Sequence, residues 1–136
     1  MHTVAKQEPL PEVKVIFYKD DDGSVPIIDW IDKQSAYAQD RIIDRLTKLR
    51  SFGHELRRPL AAPLRNGIYE LRLRERKVRL RMLYFFYGGD MVIITGGLRK
   101  KTTETPDMEI NRALEKKKKF ENDPQTHSFY WEVDGE

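Results

Sequence analysis

From Tyr69 to Arg74 apolar and charged residues alternate without a break, and they alternate again from Val78 to Met82. A period of two is the signature of strands with one face buried and one face wet. The two runs predict a hairpin turning around Glu75–Arg76. The turn lacks the glycine that a two-residue connection prefers, so a looser four-residue loop is expected. That register pairs Leu73 with Val78, Leu71 with Leu80 and Tyr69 with Met82 on one face. On the other face it sets Arg72 opposite Arg79 and Glu70 opposite Arg81. A one-residue slip would oppose apolar to charged side chains along the whole ribbon. Gly88–Gly89 predicts a second hairpin, between Met82–Tyr87 and Asp90–Leu98. Here both faces are apolar, with Met82, Tyr84 and Phe86 on one and Leu83 and Phe85 on the other, so both need cover.

The remaining elements supply it. Val13–Tyr18, rich in β-branched and aromatic residues, reads as a strand. Pro26 suits the first position of a short helix, with Ser24 or Val25 in the cap region. From about Gln34 to Phe52, Ala38, Ile42, Leu46 and Leu49 recur at helical spacing, with Arg41, Asp44, Arg45 and Lys48 taken to point away. Gly53 is a natural stop for that helix. The prolines of Pro59–Leu64 lack donors for a central strand, so this segment is expected as a loop turned at Asn66–Gly67. A last helix opens near Thr105 as cap and Pro106, carries Ile110, Ala113 and Leu114 on its apolar edge, and ends at Asn122–Pro124. It, or a protein partner, must cover the second face of the sheet. The expected fold class is α+β, in the order β-α-α-β-β-β-α with a largely antiparallel four-stranded sheet. Residues 1–12 read as a flexible lead-in, 13–123 as the domain, and 124–136 as an acidic aromatic tail in which Phe129, Tyr130 and Trp131 form a possible docking patch.

Composition narrows the function. The chain of 136 residues supports one domain, has no cysteine, and carries 35% charged residues with a mean hydropathy of -0.69. Disulfides, thiolate metal sites and cysteine nucleophiles are excluded. His2, His54 and His127 are scattered without zinc spacing, so no metal or other cofactor is expected. No apolar run suits a membrane span and no secretory signal is visible, which makes a cytoplasmic protein without a membrane partner the expectation. No phosphate-loop, dinucleotide or nucleophile-elbow motif occurs. The net charge of +3 hides an asymmetry: residues 65–81 hold seven basic against two acidic residues, and residues 99–119 eight against four. Basic residues concentrated in this way point to a polyanion, above all nucleic acid.

Arg72, Arg74, Arg79 and Arg81 would project as a comb from one face of the ribbon, with Arg99, Lys100 and Lys101 leaving the neighbouring strand beside them. Guanidiniums offer planar forks of donors to phosphate and never deprotonate. They also suit RNA cleavage by the adjacent 2′-hydroxyl, because the phosphorane carries more negative charge than the ground state. Arginine is a poor base, so another group must take the 2′-proton; Glu109 and His54 are the candidates.

Three stretches, Gly67-Ile-Tyr-Glu-Leu-Arg72, Arg81-Met-Leu-Tyr-Phe-Phe86 and Gly97-Leu-Arg-Lys-Lys-Thr-Thr-Glu-Thr-Pro106 followed by Glu109-Ile-Asn-Arg-Ala113, resemble the RelE/HigB toxin superfamily, especially its phage-derived HigB-like branch. The resemblance spans roughly residues 13–120 and implies the toxin of a type II toxin–antitoxin pair, a metal-independent endoribonuclease that cuts mRNA in the ribosomal A site. It implies a cognate helix-turn-helix antitoxin as partner, with operator DNA bound only through the toxin–antitoxin complex. By motif it places Arg72 as a basic active-site residue, Arg81 at the scissile phosphate, and Lys101 with Lys100 at the transition state or leaving group. Arg74, Arg79, Arg99 and Lys100 would hold substrate. Some members carry a tyrosine or histidine near the last helix as proton acceptor; none lies between Lys101 and Asn122, where Glu109 stands instead. The alternative is a non-catalytic module of the same fold that binds nucleic acid or protein, such as a phage host-interaction factor. A plain DNA-binding repressor is disfavoured because no recognition helix is evident.

Overall fold

The computed structural model describes residues 12–101 and 103–132. The predicted lead-in therefore lies, except for Glu12, outside the described residues. The elements in chain order are β1 (Lys14–Tyr18), α1 (Pro26–Asp32), α2 (Ala36–Phe52), a 3-10 turn (Gly53–Glu55), β2 (Ala61–Pro63), β3 (Tyr69–Glu75), β4 (Val78–Tyr87), β5 (Met91–Lys100), α3 (Asp107–Asn122) and β6 (Ser128–Tyr130). The α+β class holds, but the sheet has six strands rather than four, in the order β2-β3-β4-β5-β1-β6. Every pairing is antiparallel except that of β1 with β5.

Both added strands are edges of three residues. The segment expected as a loop contributes β2, whose Ala61 and Ala62 pair with Leu71 and Glu70. Its Pro63 is tolerated because an edge strand has one side free of ladder bonds. Within the segment 124–136, Ser128–Tyr130 lies along β1, with Phe129 stacked 6.3 Å from Phe17. No helix among the described residues is long and apolar enough to cross a membrane.

The sheet is covered on both sides. Its first face packs Leu71, Leu73, Leu80, Met82 and Tyr84 against Ile27, Ala38, Ile42, Leu46 and Leu49 of α1 and α2. Its second face packs Ile16, Leu83, Phe85 and Ile93 against Ile110, Ala113 and Phe120 of α3. The last helix thus provides the cover that the two-sided apolar strands required. Ser35 caps α2 by accepting from the Ala38 N–H at 3.1 Å, and Gly53 closes it at φ 51. Val25, without a side-chain cap, precedes Pro26 in α1.

Three local expectations are corrected. The first hairpin pairs Leu73 with Leu80, Leu71 with Met82 and Tyr69 with Tyr84, two residues beyond the predicted register. Its loop is Arg76–Lys77, with Arg76 accepting φ 58 in place of the missing glycine. A two-residue shift keeps every side chain on its predicted face, since the pleat repeats every two residues. Second, Arg45 does not point away; it is buried and its Nε donates to the Arg72 carbonyl at 2.8 Å. Third, α3 starts at Asp107 with Pro106 at the cap, and Thr105 is engaged elsewhere.

Candidate nucleic-acid interface

In the observed register Arg72 lies opposite Arg81 and Arg74 opposite Arg79, all on the second face of the β3–β4 ribbon. Along each strand the guanidinium-bearing positions are spaced by about 6.6 Å. With Pro59 and Thr103 they wall an open cleft of about 280 Å³. Lys100, opposite Arg79 on β5, shares this face and lines an adjoining cleft with Thr103, Thr105 and two carboxylates, Glu104 and Asp107. The Lys101 carbonyl accepts from Arg79 Nη1 at 3.2 Å, which holds Lys101 beside the ribbon.

The comb is not uniformly open. Glu70, 1% exposed, sits beneath it and accepts from Arg72 Nε at 2.6 Å and Arg81 Nη1 at 3.3 Å. Thr105 donates its hydroxyl to the same Glu70 carboxylate and accepts from Arg81 Nη1 at 2.9 Å. The Arg81 side chain is only 5% exposed, and its buried Nε has no protein partner. Burial pushes the Arg81 guanidinium down from its ordinary range; Glu70 opposes that shift, and Arg72 and Arg79 add to it. Glu70 was expected opposite Arg81, yet the actual register puts it opposite Leu83 and diagonal to Arg81, between that residue and Arg72. The cations at the hairpin end keep their charge available. Among the described residues no acidic group lies within ion-pair distance of Arg74, Arg79, Lys100 or Lys101.

Arg99 does not join the comb. It pairs with Leu80, on the first face, and donates to Gln34 at 2.8 Å and to Glu75 at 3.0 Å. Ser35 also donates to Glu75, so this second polar cluster pins the hairpin tip to the α1–α2 junction. One residue of parity separates Arg99 from Lys100, and that alone sends the two to opposite faces. Glu109 is likewise apart: it lines a separate cleft with Trp30, Gly97 and Lys116, and it accepts from Arg112 at 3.3 Å. His54 stacks on Phe86 with ring centroids 3.6 Å apart and lines a third cleft at the β2 edge. Neither candidate proton acceptor lines the arginine cleft. Among the described residues no cluster of three or more His, Asp or Glu side chains could hold a metal ion.

The family model for phage derived protein Gp49-like (DUF891) matches residues 29–118, from α1 to the last turns of α3. That span exceeds half of the chain and contains the whole comb. The chain belongs to the Gp49-like family. This is a RelE/HigB-like toxin family, associated with the toxins of toxin–antitoxin systems. No individual curated protein matches the sequence. Two features of this Gp49-like chain escaped the sequence reading. Arg45 carried a signal, since it lies seven residues after Ala38 and four before Leu49, on the helix's apolar side. Thr105, next to Pro106, looked like a helix cap and gave no hint of its tie to Glu70.

Proposed function

We propose that this protein is an endoribonuclease toxin that cleaves single-stranded RNA, with ribosome-bound mRNA as its target and a cognate antitoxin as its partner. The observation that carries the reading is the cluster of Arg72, Arg74 and Arg79 around an open cleft with Glu70 beneath it, and Lys100 on the same face in the adjoining cleft. Arg74 and Arg79 contact the phosphates that flank the reacting bond, and the exposed part of Arg72 faces the scissile phosphate. The 2′-oxygen attacks phosphorus as it gives its proton to solvent water, the bond to the 5′-oxygen breaks, the departing oxygen takes a proton from water, and a 2′,3′-cyclic phosphate and a 5′-hydroxyl result. Fixed cations hold the phosphorane more tightly than the ground state, and one such group is worth about 3–4 kcal/mol in the barrier. Lys101, beside Arg79, supplies charge to the departing oxygen. Arg81 acts through Glu70 and Arg72, as a positioning residue.

A second reading is a binding module of the same fold without catalysis. It is favoured by the pairing of Arg72 and Arg81 with Glu70, which cancels one of their two charges, and by the place of Glu109 in a separate cleft. Induced expression separates the two. The wild type should arrest growth and leave breaks in mRNA on programmed ribosomes. Arg74→Ala/Arg79→Ala should abolish both without lowering the melting temperature, because neither side chain belongs to the buried network and their mutual repulsion is removed. If the wild type leaves mRNA intact on programmed ribosomes, the enzyme reading fails and the binding module stands.

A further inference from the structure

The loop that closes one wall of the arginine cleft also opens a second cleft that the comb does not use. Leu60 is stitched to the comb strand: its carbonyl accepts from the Arg72 N–H at 2.7 Å. Pro59 faces the arginine cleft, while Arg57 and Arg58 line a neighbouring cleft of about 540 Å³ with His54, Pro63 and Tyr69. We propose that this second cleft is an RNA subsite, holding one or two nucleotides of the single strand that continues from the segment bound by the comb. The proposal rests on the RNA reading above.

Three independent features support it. The first is charge. Arg57 and Arg58 are both exposed, and among the described residues neither has an acid within ion-pair distance. Between Gly53 and Tyr69 the chain has three arginines and one acid, Glu55. The second is a stacking platform. The His54 ring is exposed and lies flat on Phe86, with an interplanar angle of 21°, so its outer face is open. Tyr69 is braced from behind by Tyr84 at 5.5 Å and by the edge of Phe86 at 5.3 Å. Rings immobilised on one side and open on the other suit single-strand binding, because every base has a π-face. The third is continuity and size. The same short loop borders both clefts at the β2 edge of the sheet. The comb lies on the second face and Tyr69 and Phe86 on the first, so a strand leaving Arg72 turns around that edge past Pro59 to meet Arg58, and a cleft of about 540 Å³ admits a nucleotide. The aromatic surface and paired cations match the dual chemistry of single-stranded RNA, a stack of bases beside a line of phosphates.

Fluorescein-labelled 2′-O-methyl oligoribonucleotides, which lack the attacking hydroxyl, test the idea by anisotropy. A trinucleotide fits the comb alone, whereas an octanucleotide reaches the second cleft. Arg57→Ser/Arg58→Ser should weaken octanucleotide binding about tenfold or more and reduce its salt slope by roughly 1.4, the value for two single-strand phosphate contacts. The trinucleotide affinity should not change. His54→Ala should weaken the octanucleotide by about fivefold or more while barely changing the salt slope, since stacking releases no counterions. If these variants bind the octanucleotide as the wild type does while Arg74→Ala/Arg79→Ala loses both oligonucleotides, the second subsite is refuted and the RNA reading survives. If the wild type binds neither, both fall. If the variants bind RNA normally but lose an acidic protein partner, the cleft belongs to that protein and the proposal is overturned.

Discussion

Replacing Glu70 by glutamine tests the buried heart of the comb. The substitution keeps the shape of the side chain and removes its charge. In the wild type Glu70, 1% exposed, faces two guanidiniums and the Thr105 hydroxyl, and Arg81 at 5% exposure has little water to turn to. Arg72, at 31%, can swing out; Arg81 cannot. Its Nε is already unpartnered, so loss of the carboxylate leaves a buried cation with the Thr105 oxygen and a neutral amide. Breaking a buried ion pair by removing one member costs about 3–5 kcal/mol. The amide oxygen still accepts one bond, which puts Glu70→Gln at the lower end, about 3 kcal/mol. For a domain of this size that corresponds to a fall in melting temperature of roughly 12 °C.

Calorimetry and urea titration read the loss, and a variant lacking both partners identifies its origin. Glu70→Leu/Arg81→Met removes both charges and should be more stable than Glu70→Gln, since a well-packed apolar pair often replaces a buried ion pair at little net cost. The same single variant should bind RNA more tightly at a temperature where it is folded. Removing one negative charge beside Arg72 is worth on the order of 1 kcal/mol in a partly solvated site, or about fivefold in affinity. A Glu70→Gln protein within about 0.5 kcal/mol of wild type would show that the pair is hydrated, and would refute the reasoning.

Gly97→Ala should destabilise the fold, because the new Cβ would lie 2.3 Å from Trp30 Cδ2 and force the indole off the sheet. The expected cost is about 1–3 kcal/mol by urea midpoint, accompanied by a change in tryptophan emission; a neutral substitution with unchanged emission would contradict that packing. Lys116 gives a pH signature. Burial pushes its ammonium below the usual lysine range, although it donates to the Thr95 carbonyl at 3.1 Å. The unfolded chain then binds the proton more tightly than the folded one, so Lys116 contributes rising stability as pH climbs from its folded pKa towards 10.5. Burial pushes the Tyr18 phenol up, which adds a fall in stability once pH passes 10.0. Wild type should therefore gain on Lys116→Met through the alkaline range below 10.5, and parallel curves would exclude the assignment.

The alternation in β3 and β4 assigned every side chain to its face but left the register open by steps of two, because a two-residue slip costs no hydrophobic burial. What settled the register was the turn, where Arg76 accepts φ 58, a choice that propensity argues against. The edge strands β2 and β6 have three residues each, too few for any period to emerge, and one contains a proline. Arg99 was grouped with its neighbours by nearness in sequence, when strand parity separates it from Lys100. Fold class and the two-sided core were thus readable from pattern, whereas contacts that depend on register were not.

That distinction bears on the comb itself. Four guanidiniums facing one another on adjacent strands repel, and such a ribbon is weakened unless something lies between them. The two-residue register shift moves Glu70 from a position opposite Arg81 to one between Arg72 and Arg81, so a single carboxylate serves two cations and Thr105 completes its shell. Stability is thereby secured at the inner pair, while the outer pair, Arg74 and Arg79, remains uncompensated next to Lys100. A surface meant only for solubility needs no such division, since its cations can disperse into solvent. Here they are held together at the cleft by a buried anion that neutralises some and leaves the others, which concentrates the unpaired positive charge where a phosphate chain would have to pass.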